Sequence, residues 1–350
     1  MAYTTISKST DYFDTKLYTQ SGSSNNGNTQ TLTMDNVGFV WIKNRDYSNG
    51  NCLFDIVRGG DKLLASNSNG IAETAGGGIT FGSSDTTIGA DTGGYGFNNR
   101  VGDDYVAWHW RTDGTTGSSN SDGSISSTVS VNTTSGFSIV SYAGNGASSG
   151  TATVGHGLGA VPQVVLQKRT TGSVQNWHMY HIGTGNGSAL ILNDSQAKNT
   201  QTDYWGDTTP TSSVVTVGPN NLSTGTNILY CFTEKQGFSK FGRYTGTGSS
   251  NGPFVYTGFK PAFVLVKNAS ATQNWFLQDN KRLGYNEANH LQKPNNAGAD
   301  DTGNHIDILS NGFKTIVSSA NCNGSGHNIV YMAFAEMPLV GSNDTPALGR

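Results

Sequence analysis

Phe259-Lys260-Pro261-Ala262-Phe263-Val264-Leu265-Val266-Lys267 is an apolar run that closes on a lysine, and the chain contains two more of the same kind. They are Val37-Gly38-Phe39-Val40-Trp41-Ile42-Lys43 and Val161-Pro162-Gln163-Val164-Val165-Leu166-Gln167-Lys168. A second kind of run follows each in turn: Tyr105-Val106-Ala107-Trp108-His109-Trp110, Ile228-Leu229-Tyr230-Cys231-Phe232 and Val330-Tyr331-Met332-Ala333-Phe334. The lysine is separated from the last aromatic by 67 residues (43 to 110), then 64 (168 to 232), then 67 (267 to 334). Two distinct motifs held at near-equal spacing, three times over, mark an internal repeat.

Other landmarks keep the same order. An aromatic-bounded segment followed by a Gly-rich turn opens each unit, at 13–18, 137–142 and 241–244. Past each lysine comes a short aromatic run: Asn51-Cys52-Leu53-Phe54-Asp55, Asn176-Trp177-His178-Met179-Tyr180 and Asn274-Trp275-Phe276-Leu277-Gln278. The units therefore span 13–112, 136–236 and 237–337, between an N-terminal arm at 1–12 and a C-terminal tail at 338–350. Residues 113–135, rich in Gly, Ser and Thr, read as an extended linker in which 128–131 has the pattern of a short strand. Apolar runs bounded by Gly, Asn and Ser read as strands, and pairs such as Asn145-Gly146 and Asn251-Gly252 as tight turns. The closing runs of units two and three are apolar on both faces, which predicts central strands covered on both sides. The expected fold class is all-β, as three tandem β-sandwich-like modules of about 100 residues each. One three-lobed β assembly with pseudo-threefold symmetry is the alternative.

Composition narrows the function. The chain has 350 residues, 47 of them Gly, and only 13% are charged. A net charge of -3 without a Lys/Arg cluster argues against nucleic acid as a partner. No apolar run reaches 18 residues and residues 1–13 lack an apolar signal core, so neither membrane insertion nor secretion is expected. Cys52, Cys231 and Cys322 are odd in number and far apart, which predicts neither a disulfide framework nor a zinc motif.

Catalytic patterns are sparse. The adjacent carboxylates Asp103-Asp104 and Asp300-Asp301 sit in polar, Gly-rich surroundings, where nothing apolar would raise a carboxyl pKa for acid catalysis. His178 and His181 have no further zinc ligands nearby in sequence. The expectation is a non-enzyme without a cofactor. Residues 298–307 gather the oxygen ligands Asp300, Asp301, Asn304 and Asp307, the candidate cation set, although a plain surface loop is the simpler reading and the EF-hand spacing is absent. Aromatics at repeated positions (Trp41, Trp110, Trp177, Trp275, Phe232, Phe334) read as core. Those in non-equivalent, Gly-rich loops, Tyr47, Tyr95, Trp205 and Tyr285, are the candidate ligand-binding residues, because sugar recognition lays an aromatic ring against the apolar face of a pyranose. A ring folded back onto its own module is the competing reading for each.

Several long motifs resemble an uncharacterised repeat-domain family of bacteriophage structural proteins, notably of marine phages. They are the run 258–267, Gly136-Phe137-Ser138-Ile139-Val140-Ser141-Tyr142, Gly155-His156-Gly157-Leu158-Gly159, Gly237-Phe238-Ser239-Lys240-Phe241-Gly242-Arg243-Tyr244-Thr245-Gly246, Tyr331-Met332-Ala333-Phe334-Ala335-Glu336, and the opening residues 1–13. The resemblance covers nearly the whole chain. It implies a virion component, tail-fibre-like, located on the tail or capsid surface. It brings no catalytic residues. Its implied partners are other virion subunits and a host cell-surface glycan or protein, and its implied assembly is a homo-oligomer, often a trimer. A purely structural role, as capsid decoration, tail adaptor or fibre shaft, is the alternative. The first unit departs most, lacking the proline found at Pro162 and Pro261.

Overall fold

The computed structural model describes residues 4–22, 28–282, 290–303 and 305–340. The chain is all-β, with two single-turn α-helices, Pro219–Leu222 and Ala320–Asn323. Three principal antiparallel sheets carry one strand order, which in each reads opening strand, closing strand, lysine strand, corner strand. In the first these are Phe13–Thr19, Asp104–Arg111, Val37–Asn44 and Cys52–Asp55. In the second they are Phe137–Gly144, Gly225–Phe232, Val164–Arg169 and His178–His181, and in the third Ser239–Thr245, Asn328–Pro338, Phe259–Asn268 and Phe276–Asp279. We call each sheet with its outer layer a lobe. The closing strand is interior in every one, as the doubly apolar pattern of units two and three predicts.

Register accounts for the sequence spacing. Phe39 pairs with Trp110, Val164 with Phe232 and Phe263 with Phe334. Four residues on, Lys43, Lys168 and Lys267 pair with Val106, Ile228 and Val330. A ladder register shift interrupts the lysine strands of lobes 1 and 3, at Gly38 and at Pro261. Proline cannot donate to a ladder and so sits at such an irregularity. Gly38 is there for space, because a Cβ would stand 2.1 Å from Thr112 Oγ1. The third opening strand corrects the sequence reading: Ser239, not Phe241, occupies the place of Phe13 and Phe137 opposite the last aromatic. The tyrosines are the aligned residues. Tyr18, Tyr142 and Tyr244 donate their hydroxyls to the carbonyls of Phe97, Asn221 and Cys322, each tying its opening strand to a segment just before the closing strand.

The inner faces of the three sheets share one apolar core rather than three separate ones. Trp110, Phe232 and Phe334 are buried there as a mutual triangle, with ring centroids 6.4, 5.6 and 5.8 Å apart. Such edge-to-face aromatic contacts add to the stabilisation from area burial. Smaller sheets cover the outer faces: Gln30–Leu32 with Thr86–Ile88 and Ile79–Thr80, Ala152–Gly155 with Val214–Val217, and Phe254–Tyr256 with Gly312–Thr315 and Ile306–Leu309. In lobes 1 and 2 this layer encloses its own apolar cluster.

One expectation at the chain's joints needs correction. Residues 113–135 are not a free linker. Strands Ser118–Asn120 and Ser127–Asn132 extend the second sheet alongside its opening strand, because Val129 and Val131 alternate with polar residues and Val129 enters the outer core of lobe 2. The N-terminal arm docks on lobe 3: Ile6 enters the shared core and Thr4 Oγ1 donates to Gln236 O at 2.8 Å.

Candidate functional site

The lobes meet in cyclic order, and the repeated polar residues sit at those joints. Trp177 of lobe 2 donates its indole N–H to Ala65 O of lobe 1, and Trp275 of lobe 3 donates to Ile191 O of lobe 2, both at 2.9 Å. Asn51 of lobe 1 closes the circle on Asn296 O of lobe 3 at 2.9 Å. The repeated lysines are buried. Lys168 Nζ donates to Gln175 O and across the joint to Asn69 O, and Lys267 Nζ to Asn268 O, Gln273 O and, across the joint, Ser195 O. Lys43 Nζ donates to Asn44 O and Tyr47 O. Burial pushes these ammonium groups down, to about 8 for Lys43, about 7 for Lys168 and about 8 for Lys267.

The ends of the corner strands are equivalent by register: Asp55, His181 and Asp279 lie opposite Phe39, Val164 and Phe263. In two lobes the aspartate holds an arginine three residues on. Asp55 pairs with Arg58 and accepts the Tyr230 hydroxyl of lobe 2 at 2.7 Å. Asp279 pairs with Arg282 at 2.7 Å and accepts the Trp108 indole N–H of lobe 1 at 3.0 Å. Both ion pairs are almost wholly buried. In lobe 2 the segment is His181-Ile182-Gly183-Thr184 instead. His181 Nδ1 accepts the Gly183 N–H, which leaves Nε2 to donate to Tyr331 O of lobe 3 at 3.0 Å. Burial lowers the pKa of His181, and of His178 on the same strand, to about 4.

Beside that third corner lies an open groove of about 520 Å³, lined by residues 182–185 and Lys198 of lobe 2 and by Phe241, Gly242, Arg243 and Asn328 of lobe 3. Lys198 and Arg243 are exposed and have no ion-pair partner among the described residues. Sequence reasoning missed the groove. The signal was present in the corner motif, as a His and a Thr where the other two units have Asp and Arg.

The residues singled out from sequence are scattered. Tyr47 is about half exposed, with the Arg100 guanidinium 3.8 Å from its ring centroid. Tyr95 is partly buried, its hydroxyl 3.4 Å from Thr74 O. Trp205 is a correction: it is 1% exposed, packed edge-on to Tyr180 in the outer core of lobe 2, so it offers no surface ring. Tyr285 and Asn304 lie outside the described residues. Asp300 serves a joint, bonded to Arg45 of lobe 1 and to Arg282, His290 and Gln292 of lobe 3. Burial works against its charge, but Arg282 and Arg45 outweigh that and hold its carboxyl below the usual range. Asp301 pairs with Lys293, and burial raises the Asp307 carboxyl. No described group of three or more metal-ligating side chains gathers in one place. The three cysteines are buried, and burial raises each thiol, to about 12 for Cys231 and Cys322.

The extent of this architecture matches a family described as Domain of unknown function (DUF7483), whose model covers residues 8–338. The chain belongs to that family. The matched span contains all three principal sheets and every joint between them, so the family's unit is the joined three-lobed body rather than one repeat. No curated protein and no solved structure matches the chain.

Proposed function

We propose that the protein is a bacteriophage virion component whose role is recognition at the particle surface, with a host-surface glycan or protein as ligand and other virion subunits as its anchorage. The observation that carries this reading is where the ionisable groups are spent. Lys168, Lys267, Asp55, Arg58, Asp279, Arg282 and Asp300 are committed to joints inside the fold, as suits a rigid display scaffold without catalysis. The aromatic Tyr47 and the groove between lobes 2 and 3 are left facing outward. The sequence motifs that resemble those of phage structural proteins supply the setting.

A purely structural role has one observation in its favour. Phe254 and Tyr256 lie on one exposed face of an edge strand, each about half exposed, as a subunit contact would require. Antibody label on intact particles, together with binding of the purified chain to host cells, decides between the two. Label on a distal projection and saturable cell binding support recognition. Label buried between shell subunits, with no cell binding, leaves the structural role.

A further inference from the structure

We propose that the groove between lobes 2 and 3 binds a carboxylate-bearing sugar residue of the uronate or sialate type. The inference rests on the recognition reading and assigns its ligand class and site. Three equivalent corners allow an internal comparison. At two of them an arginine fills the corner and a buried aspartate neutralises it. At the third, Thr184 stands where Arg58 and Arg282 stand, neutral His181 replaces the aspartate, and an open groove lies against the corner.

The walls of that space are cationic, in a chain of net charge -3. Lys198 comes from lobe 2 and Arg243 from lobe 3, and no described acidic side chain lines the groove. His181 supplies no counter-charge, since an imidazole is neutral or cationic, and its ring nitrogens are held by Gly183 N–H and Tyr331 O. A guanidinium presents a planar fork that takes a carboxylate bidentately, while an ammonium acts as a second point charge. Gly183, Gly185 and Gly242 keep the floor low. A Cβ on Gly242 would stand 2.9 Å from the Tyr331 hydroxyl, and one on Gly183 would stand 2.9 Å from Val330. Backbone is thereby presented to the ligand without side-chain bulk. Ile182, 44% exposed at the rim, offers an apolar surface for the C–H face of a sugar ring. The volume lies within the usual range for small-molecule sites, roughly 300–1,000 Å³.

The test is calorimetric titration of the full chain with a glucuronate-containing disaccharide and with N-acetylneuraminate, each beside its methyl ester. Inorganic phosphate serves as a simple-anion control. At least one acid should bind ten-fold or more tighter than its ester and tighter than phosphate. Arg243→Ala should weaken that binding at least ten-fold. Thr184→Glu places a carboxylate in the groove at a partly exposed position and should abolish binding without lowering Tm, which guards against a folding artefact in the first variant. Equal affinity for acid and ester, no binding of either acid, a preference for phosphate, or wild-type binding by Thr184→Glu would each overturn the assignment. Cell binding separates the two levels. Host binding that survives Arg243→Ala and Thr184→Glu removes the groove and keeps the recognition reading. Acid binding without host binding does the reverse.

Discussion

The repeated lysines show how much one buried residue is asked to do. Lys267 satisfies three carbonyls with its three N–H groups, one of them across a joint. Lys267→Met keeps the aliphatic stem and strands those acceptors, at about 1–3 kcal/mol for each one left unsatisfied. A fall in denaturant midpoint equivalent to about 3 kcal/mol or more is therefore expected, and an unchanged midpoint would refute the role. The histidines give a pH signature. His178 and His181 are held near 4 in the folded chain, against about 6.5 when unfolded. Between those values the unfolded state binds more protons, so their stabilising effect is full above pH 6.5 and is lost as pH falls toward 4. At pH 5 each should have lost about 2 kcal/mol relative to pH 7. Urea denaturation from pH 7 to 5 should record this, and His181→Gln should flatten the slope. The lysines were visible in the sequence as spacing markers. That they would be buried was not, because a lone lysine after an apolar run is ordinarily solvated, and Lys168 and Lys267 each find one of their carbonyl partners in another lobe.

At the scale of elements, the corner is the informative unit. Asp279 orients Arg282 and receives the Trp108 indole of another lobe, so Asp279→Ala leaves two buried donors, Arg282 Nε–H and the Trp108 N–H, without their acceptor, while Asp300 still pairs with the guanidinium. At about 1–3 kcal/mol for each stranded donor, a loss of about 2–6 kcal/mol is expected, read as a lowered midpoint in chemical denaturation. The sequence placed the closing strands of units two and three in the sheet interiors correctly, because their two apolar faces are a local property. It read 113–135 as an extended linker because Gly, Ser and Thr dominate there, with the pattern of a short strand at 128–131 that Ser127–Asn132 bears out. Only the valine alternation at 129 and 131 recorded the strand, and four or five residues of alternation are too few to outweigh composition. It also aligned Phe241 with Phe13, choosing the aromatic over the tyrosine spacing that register obeys. Trp205 misled for a related reason: a Gly-rich loop suggests exposure, yet large rings fold back wherever an outer layer can cover them.

At the scale of the molecule, one core serves three lobes. Residues 113–236 alone would expose Phe137, Ile139, Leu166, Tyr230 and Phe232 to water. This fragment should therefore be insoluble or molten, without the dispersed amide spectrum of a folded domain, and the full chain should unfold in a single transition. A well-dispersed spectrum from the fragment would show that the lobes are independent. The axis retains a cavity of about 20 Å³ lined entirely by apolar side chains, among them Val164, whose counterparts are Phe39 and Phe263. Val164→Ile should fill part of it and raise stability by about 0.5–1 kcal/mol, seen as a small rise in Tm. The spacing in the sequence told of three units. It could not tell whether their apolar faces turned inward together, because a period-two pattern fixes which residues share a face and not what that face meets. The fused arrangement also changes what mutation can reach. In an assembly of three identical chains, a change at the corner is copied to every joint, and a loss of about 3 kcal/mol becomes about 9. Here the same change alters one joint and leaves the other two to hold the body together. Drift at a single corner is thereby tolerable, and a chain built this way can turn one seam into a variable mouth while its architecture stays fixed.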